Sequence, residues 1–163
     1  MRTFCFHVDD LCLTIQRFVI QKPWKVAGLN HVAVVVPNIE NAAAFYRDTF
    51  DVKVDKPFTA EAHGVHVAFV HMGNTKIELI SPIDSNSPVA KFLERNKSGG
   101  LHHICVEVDD LGGAIRSLKQ KNLRFLAPEP KVGACGVPVI FMHPKDTSGV
   151  LTELEASHSK EGH

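Results

Sequence analysis

The chain says nearly the same thing twice. Gly28-Leu29-Asn30-His31-Val32-Ala33-Val34-Val35-Val36 returns 72 positions later as Gly100-Leu101-His102-His103-Ile104-Cys105-Val106-Glu107-Val108. The same offset pairs Ala42 with Ala114, Gly64 with Gly136, Val65 with Val137, Val67 with Val139, Phe69 with Phe141 and His71 with His143. Identities that keep one offset from strand to helix to hairpin mark a duplicated supersecondary unit. Such a chain has to build one module twice and bury the two copies against each other.

Each copy reads as β-α-β-β-β. Leu29 to Val36 is a β-branched, almost continuously apolar run, the pattern of a buried strand. Asn38 then supplies a helix N-cap, and Ile39, Ala42, Ala43, Phe45, Tyr46 and Phe50 recur at helical spacing. A short strand is expected at 52–54. Gly64 opens the strand 65–71, and Gly73-Asn74 turns it into 75–80. In the second copy Leu101 to Val108 is the strand, Asp109-Asp110 the cap, and Leu111, Ala114, Ile115 and Leu118 the apolar helix face. A short strand is expected at 123–126, and a longer turn, 144–149, displaces the last strand so that Glu153 answers Glu78. The expected fold class is α+β: two tandem βαβββ modules related by a pseudo-twofold axis around a shared curved-sheet cleft. The first module covers about 28–81, a connector helix about 88–97 and the second module about 100–156, with a tail at 157–163.

Composition narrows the function. The 163 residues carry a net charge of zero, so no global field draws the molecule to nucleic acid or a membrane surface. No apolar run reaches the 18 residues a spanning helix needs. The four cysteines, Cys5, Cys12, Cys105 and Cys135, form no CxxC pair and read as free thiols. Residues 1–27 differ from the rest. They combine Arg2, Arg17 and Lys22 with Asp9 and Asp10, and read either as a weak targeting leader or as an irregular extension.

The repeat also singles out chemistry. Each module has a histidine in its first strand and a carboxylate in its last: His31 and Glu78, His103 and Glu153. A lone strand histidine is usually a hydrogen-bonded core residue, but the symmetry brings all four to one cleft. Two imidazoles and two carboxylates suit a borderline or hard divalent ion such as Co, Ni, Zn, Mn or Fe. Four protein ligands on an octahedral ion leave two adjacent positions for a bidentate substrate. His71 and His143 flank hairpin turns and read as rim residues. His102 has the opposite strand parity to His103 and is expected to face away from it.

With these residues in place, the chain resembles the vicinal oxygen chelate superfamily, which includes glyoxalase I, extradiol dioxygenases and methylmalonyl-CoA epimerases. The segments Leu29 to Ala33, Ser87 to Leu93, Gly100 to Ile104, and Phe141 to Lys145 with Gly149 to Leu154 resemble the epimerases in particular. The likeness covers about residues 28–156. It implies a metal on His31, His103 and Glu153, with Glu78 where some members carry glutamine, an added negative charge that makes Glu78 a weaker or conditional ligand. It favours Co²⁺, with Ni, Mn and Zn as alternatives, and it implies an acyl-CoA substrate, a homodimer and a mitochondrial matrix location.

The implied reaction is divalent-metal-dependent epimerisation of (R)- and (S)-methylmalonyl-CoA in propionyl-CoA catabolism, with Glu153 and Glu78 as the catalytic proton carriers on opposite faces. One departure is Val67, which stands where some bacterial epimerases carry a glutamate base; its neighbour His66 has the wrong parity to replace it. Lys76 and Lys145 are candidates for the substrate carboxylate, while Lys91, Arg95, Lys97, Lys119, Lys121 and Arg124 read chiefly as solvated helix faces. Three rival functions share the ligand set or the fold: a lactoylglutathione lyase of the glyoxalase I type, a non-haem iron dioxygenase, and a metal-free binding module.

Overall fold

The structure, a computed structural model, describes residues 23–157. The expectations for residues 1–22 and for the end of the tail lie outside the described residues. One eight-stranded sheet holds both modules. The first contributes β1 (Val26–Val35), β2 (Phe58–Ala60), β3 (Val65–His71) and β4 (Lys76–Pro82); the second contributes β5 (Gly100–Val108), β6 (Lys131–Val132), β7 (Pro138–Met142) and β8 (Thr152–Ala156). The helices are α1 (Ile39–Phe50), α2 (Ala90–Arg95) and α3 (Leu111–Gln120).

The strand order is β2-β3-β4-β1-β5-β8-β7-β6. Read from the centre outward, each half runs first strand, last strand, third strand, second strand. That is the expected pseudo-twofold, and its axis passes between β1 and β5. These two strands pair antiparallel, whereas β1 with β4 and β5 with β8 are parallel, each parallel pair being joined through its module's helix and hairpin.

The helices begin where their caps place them. Asn38 Oδ1 accepts from Asn41 N at 2.8 Å, and an Asp110 carboxylate oxygen accepts from Gly113 N at 2.8 Å, each satisfying an otherwise orphaned first-turn donor. α1 packs on one face of the first module through Ile39 and Ala43 against Ala68, Val70 and Leu79. α3 does the same in the second through Leu111, Ala114, Ile115 and Leu118 against Ile140 and Leu154. Trp24, ahead of β1, is buried in the second module's core, because the antiparallel β1/β5 pairing carries the start of the first strand beside Val108. The β1 strand accordingly begins at Val26, two residues before the repeat itself.

The short strands expected at 52–54 and 123–126 are reduced to single bridges, Val54 with Val70 and Phe125 with Met142. The edge of each hairpin is instead shared by two pieces, the bridge and a true strand further on, β2 or β6. Proline interrupts the ladder between them: Pro57 in one copy, Pro128 and Pro130 in the other, none of which can donate a backbone hydrogen bond.

Gly99 leads into β5 with φ +82, and a Cβ there would lie 2.2 Å from the Val35 carbonyl oxygen. Both the left-handed backbone and the obstructing carbonyl exclude a side chain. Gly99→Ala is therefore expected to destabilise the fold by about 3 kcal/mol, read as a lowered midpoint with an unchanged slope in urea denaturation.

Candidate metal centre

The two innermost strands present His31 and His103 diagonally across the axis: His31 lies opposite Cys105, and Ala33 opposite His103. The flanking strands β4 and β8 bring Glu78 beside Ala33 and Glu153 beside Cys105. All four predicted side chains are buried, with exposures of 3% to 7%. They converge. His31 Nε2 lies 3.4 Å from His103 Nε2, 3.5 Å from Glu78 Oε2 and 3.4 Å from Glu153 Oε2. His103 Nε2 lies 3.7 Å from Glu78 Oε2 and 3.3 Å from Glu153 Oε2.

Imidazole nitrogens facing each other and two carboxylates need a cation among them, either a proton or a metal. The separations are those of neighbouring donors about an ion held at about 2.1 Å by each. The donor set therefore fits a divalent ion, and His31, Glu78 and His103 lie within reach of a common ion. Cys105 Sγ also lies close to His31 and Glu153. Burial, then the Glu153 charge, pushes its thiol pKa up, so the thiolate that a metal requires is disfavoured. The Cys105 thiol instead faces Glu155 Oε2 at 3.8 Å.

The two carboxylates are not electrostatically equal. Burial drives the Glu78 carboxyl upward, and the His31 and His103 charges offset only part of this. Burial also acts on Glu153, but hydrogen bonds from His103 and His31 outweigh it and hold that carboxyl at about 2. Pseudo-equivalent groups thus shift in opposite directions, and the cause is visible in the shorter imidazole contacts at Glu153. Glu153 is the ionised partner and Glu78 the one that retains a proton more readily.

Above these residues lies a cavity of about 360 Å³ walled by Val67, Val139, Phe141, Ala134 and Leu151. Phe69 meets the His31 ring edge-on at 6.1 Å, and Phe141 meets His103 edge-on at 5.1 Å. These two rings are one position of the repeat. Each stands directly across the ladder from a carboxylate, Phe69 from Glu78 and Phe141 from Glu153.

A chain this similar to known proteins can be compared with them directly. Residues 30–141 match the glyoxalase/bleomycin resistance protein/dioxygenase superfamily. The chain is 53% identical over 132 residues to the mitochondrial methylmalonyl-CoA epimerase of Mus musculus, covering 81% of this chain and 74% of that one. It is 51% identical over 131 residues to an ethylmalonyl-CoA/methylmalonyl-CoA epimerase of Cereibacter sphaeroides, covering 80% and 98%. Among solved structures, a Streptomyces coelicolor methylmalonyl-CoA epimerase variant in complex with 2-nitronate-propionyl-CoA superposes with a TM-score of 0.77 at 30% identity, over 85% of this chain and 100% of that one. The chain belongs to the methylmalonyl-CoA epimerase family.

Within that family frame, several side chains lie elsewhere than the sequence reading expects. His102 does not face away: it lines the cavity, and its Nδ1 lies 2.9 Å from Nδ1 of His103. Burial first, and then the neighbouring His103, hold its imidazole down to about 4, so it is neutral near pH 7. His71 ends β3 with its Nε2 2.9 Å from Asp55, while His143 caps the turn after β7 by accepting from Lys145 N. His66 contacts Thr59 on the other face, and Val67 faces the cavity. Lys145 is exposed, and Lys76 Nζ rests 4.9 Å above the Phe69 ring; neither borders the cavity among the described residues.

Glu155 escaped the sequence reading. It is 4% exposed, lines the same cavity, and accepts a hydrogen bond from Asn30. Its parity matches that of Glu153, a signal present in the sequence, but its counterpart in the first module is an isoleucine, Ile80, so the repeat does not mark it.

Proposed function

We propose that this protein interconverts (R)- and (S)-methylmalonyl-CoA by removing and returning the C2 proton. The observation that carries the reading is the convergence of two imidazoles and two carboxylates under an apolar cavity, in a chain about half identical to named epimerases. His31, His103 and Glu153 would hold a divalent ion, Co²⁺ before Ni, Mn or Zn, and Glu78 would complete the set or leave it as its proton demands. When bound, the ion supplies Lewis-acid stabilisation of the negative charge that develops as the C2 proton leaves.

The protein's own groups do the rest. The C2 proton lies between a thioester carbonyl and a carboxylate, so its departure gives a planar, delocalised anion whose two faces must be protonated from opposite sides. β4 and β8 flank the histidine strands, and their carboxylates therefore reach the reacting carbon from two directions. Phe141, Val67 and Val139 keep water from that carbon, which protects the anion and strengthens the electrostatics around it. The names of the relatives at about 52% identity support a mitochondrial location over a cytoplasmic one; the matrix is the proposed compartment and a homodimer the proposed assembly.

Deuterium incorporation at C2 of methylmalonyl-CoA in heavy water tests this. Chelator-treated protein is expected to show exchange only after Co²⁺ is restored. Absence of exchange in both conditions overturns the epimerase reading. Turnover of lactoylglutathione would move the assignment to the glyoxalase branch.

A further inference from the structure

The β1/β5 ladder is irregular at three places, between Val26 and Gly28, Leu29 and His31, and Ala33 and Val34, and the repeat relates the last two. Between Leu29/Val106 and His31/Cys105 the pairing advances two residues on β1 and one on β5, so Asn30 is extra. Between Ala33/His103 and Val34/Leu101 it advances one on β1 and two on β5, so His102 is extra. Asn30 and His102 are the same position of the repeat, 72 residues apart. A β-bulge breaks the alternation of side chains, which lets two consecutive residues serve one face. Each bulge sets its extra side chain against the outer nitrogen of the histidine that follows it.

At Asn30 the hydrogen bonds settle every orientation. Asn30 Nδ2 donates to Glu107 Oε1 at 2.5 Å and to Glu155 Oε1 at 3.0 Å. A flipped amide would place its oxygen against two carboxylates, so Oδ1 has to face His31, 2.8 Å from Nδ1. That oxygen only accepts. His31 must therefore carry a proton on Nδ1, so that an ion taking the place of any Nε2 proton meets the Nε2 lone pair directed at the other three donors. At His103 the contact is Nδ1 to Nδ1 with His102, 2.9 Å, so one ring must donate and the other accept. A ligating Nε2 puts the proton on His103 Nδ1 and makes His102 the acceptor.

We propose that Asn30 and His102 are positioning residues that hold His31 and His103 in the Nδ1–H tautomer, presenting both Nε2 atoms to a divalent ion. This rests on the metal reading given above. Groups that accept from the outer nitrogen of a metal-bound imidazole fix its ring and raise its basicity, and their loss typically costs 10- to 100-fold in affinity. The pair also differs internally. Asn30 is tied to two carboxylates and transmits their charge to His31, whereas His102 offers a neutral ring; Asn30 is thus expected to matter more.

Histidine-labelled apoprotein read by long-range proton–nitrogen correlation should show Nδ1–H at His31 and His103. An Nε2–H tautomer at either overturns the proposal for that module without any variant being made. Co²⁺ titration then separates the roles. Asn30→Leu and His102→Phe remove the acceptors, and each is expected to weaken Co²⁺ binding about 10- to 100-fold, with His102→Asn, which copies the first module's solution into the second, within about threefold of wild type. Binding within about threefold in both acceptor-free variants sinks the inference. His31→Ala distinguishes the levels. If it too binds Co²⁺ normally, the metal reading fails; if it alone loses the ion, only the bulge residues' role fails.

Discussion

Replacing His103 by alanine is expected to remove tight Co²⁺ binding and to lower epimerase turnover about a thousandfold or more, with His31→Ala doing the same. The magnitude follows from what the imidazole supplies. Lewis-acid stabilisation of a developing charge is worth several kcal/mol, and each 1.36 kcal/mol is a factor of ten in rate. Both histidines sit at 3.3–3.7 Å from the carboxylates on either side, so neither can be replaced by a rotation of the other. His66→Ala is the control. That ring bonds to Thr59 across the outer hairpin and does not line the cavity, so metal binding and turnover are expected to stay at wild-type levels. Metal content after dialysis, measured beside turnover, checks both. A His103→Ala protein that keeps its metal and rate would remove the ligand assignment outright.

The topology was legible because the repeat encodes it. Two copies of one βαβββ unit have few ways of sharing a sheet, and the pairing of β1 with β5 across an axis follows from equivalent first strands meeting. The convergence of His31, Glu78, His103 and Glu153 was legible for the same reason: symmetry turns two unremarkable strand histidines into a pair. What symmetry could not reach were features of one module or of two strands together. Glu155 has Ile80 as its counterpart, so the repeat hid it. His102 was read by alternation along its own strand, but a bulge is a property of the register between strands, and no single-strand rule contains it. Phe69 and Phe141 are visible as a repeated pair, but nothing in the sequence says that Phe69 packs in the core while Phe141 walls the cavity. The edge strands failed more simply: 52–54 and 123–126 carry apolar residues at strand spacing, and the prolines that follow decide how far the ladder continues.

The carboxylates call for a sharper experiment than loss of rate, because the proposed pair of proton carriers on opposite faces would leave a distinctive isotopic pattern. With both present, either epimer loses its C2 proton and the product gains solvent deuterium. With Glu78→Gln, epimerisation is expected to fall by about 10²- to 10⁴-fold, the usual contribution of one acid–base group. Glu153 can still remove the proton from the face it commands and return a deuteron to the same face. One epimer should therefore exchange without inverting, while the other neither exchanges nor inverts. Glu153→Gln should lose more, because the change also strips a charge that the two imidazoles hold ionised and that the ion needs. Supplying excess Co²⁺ is expected to recover part of that deficit and none of the Glu78→Gln deficit, which separates a ligand that also moves protons from a proton carrier that touches the ion only weakly. Exchange of both epimers at equal rates in Glu78→Gln would show that Glu78 is not a proton carrier and would direct attention to Glu155, the remaining buried carboxylate of the cavity.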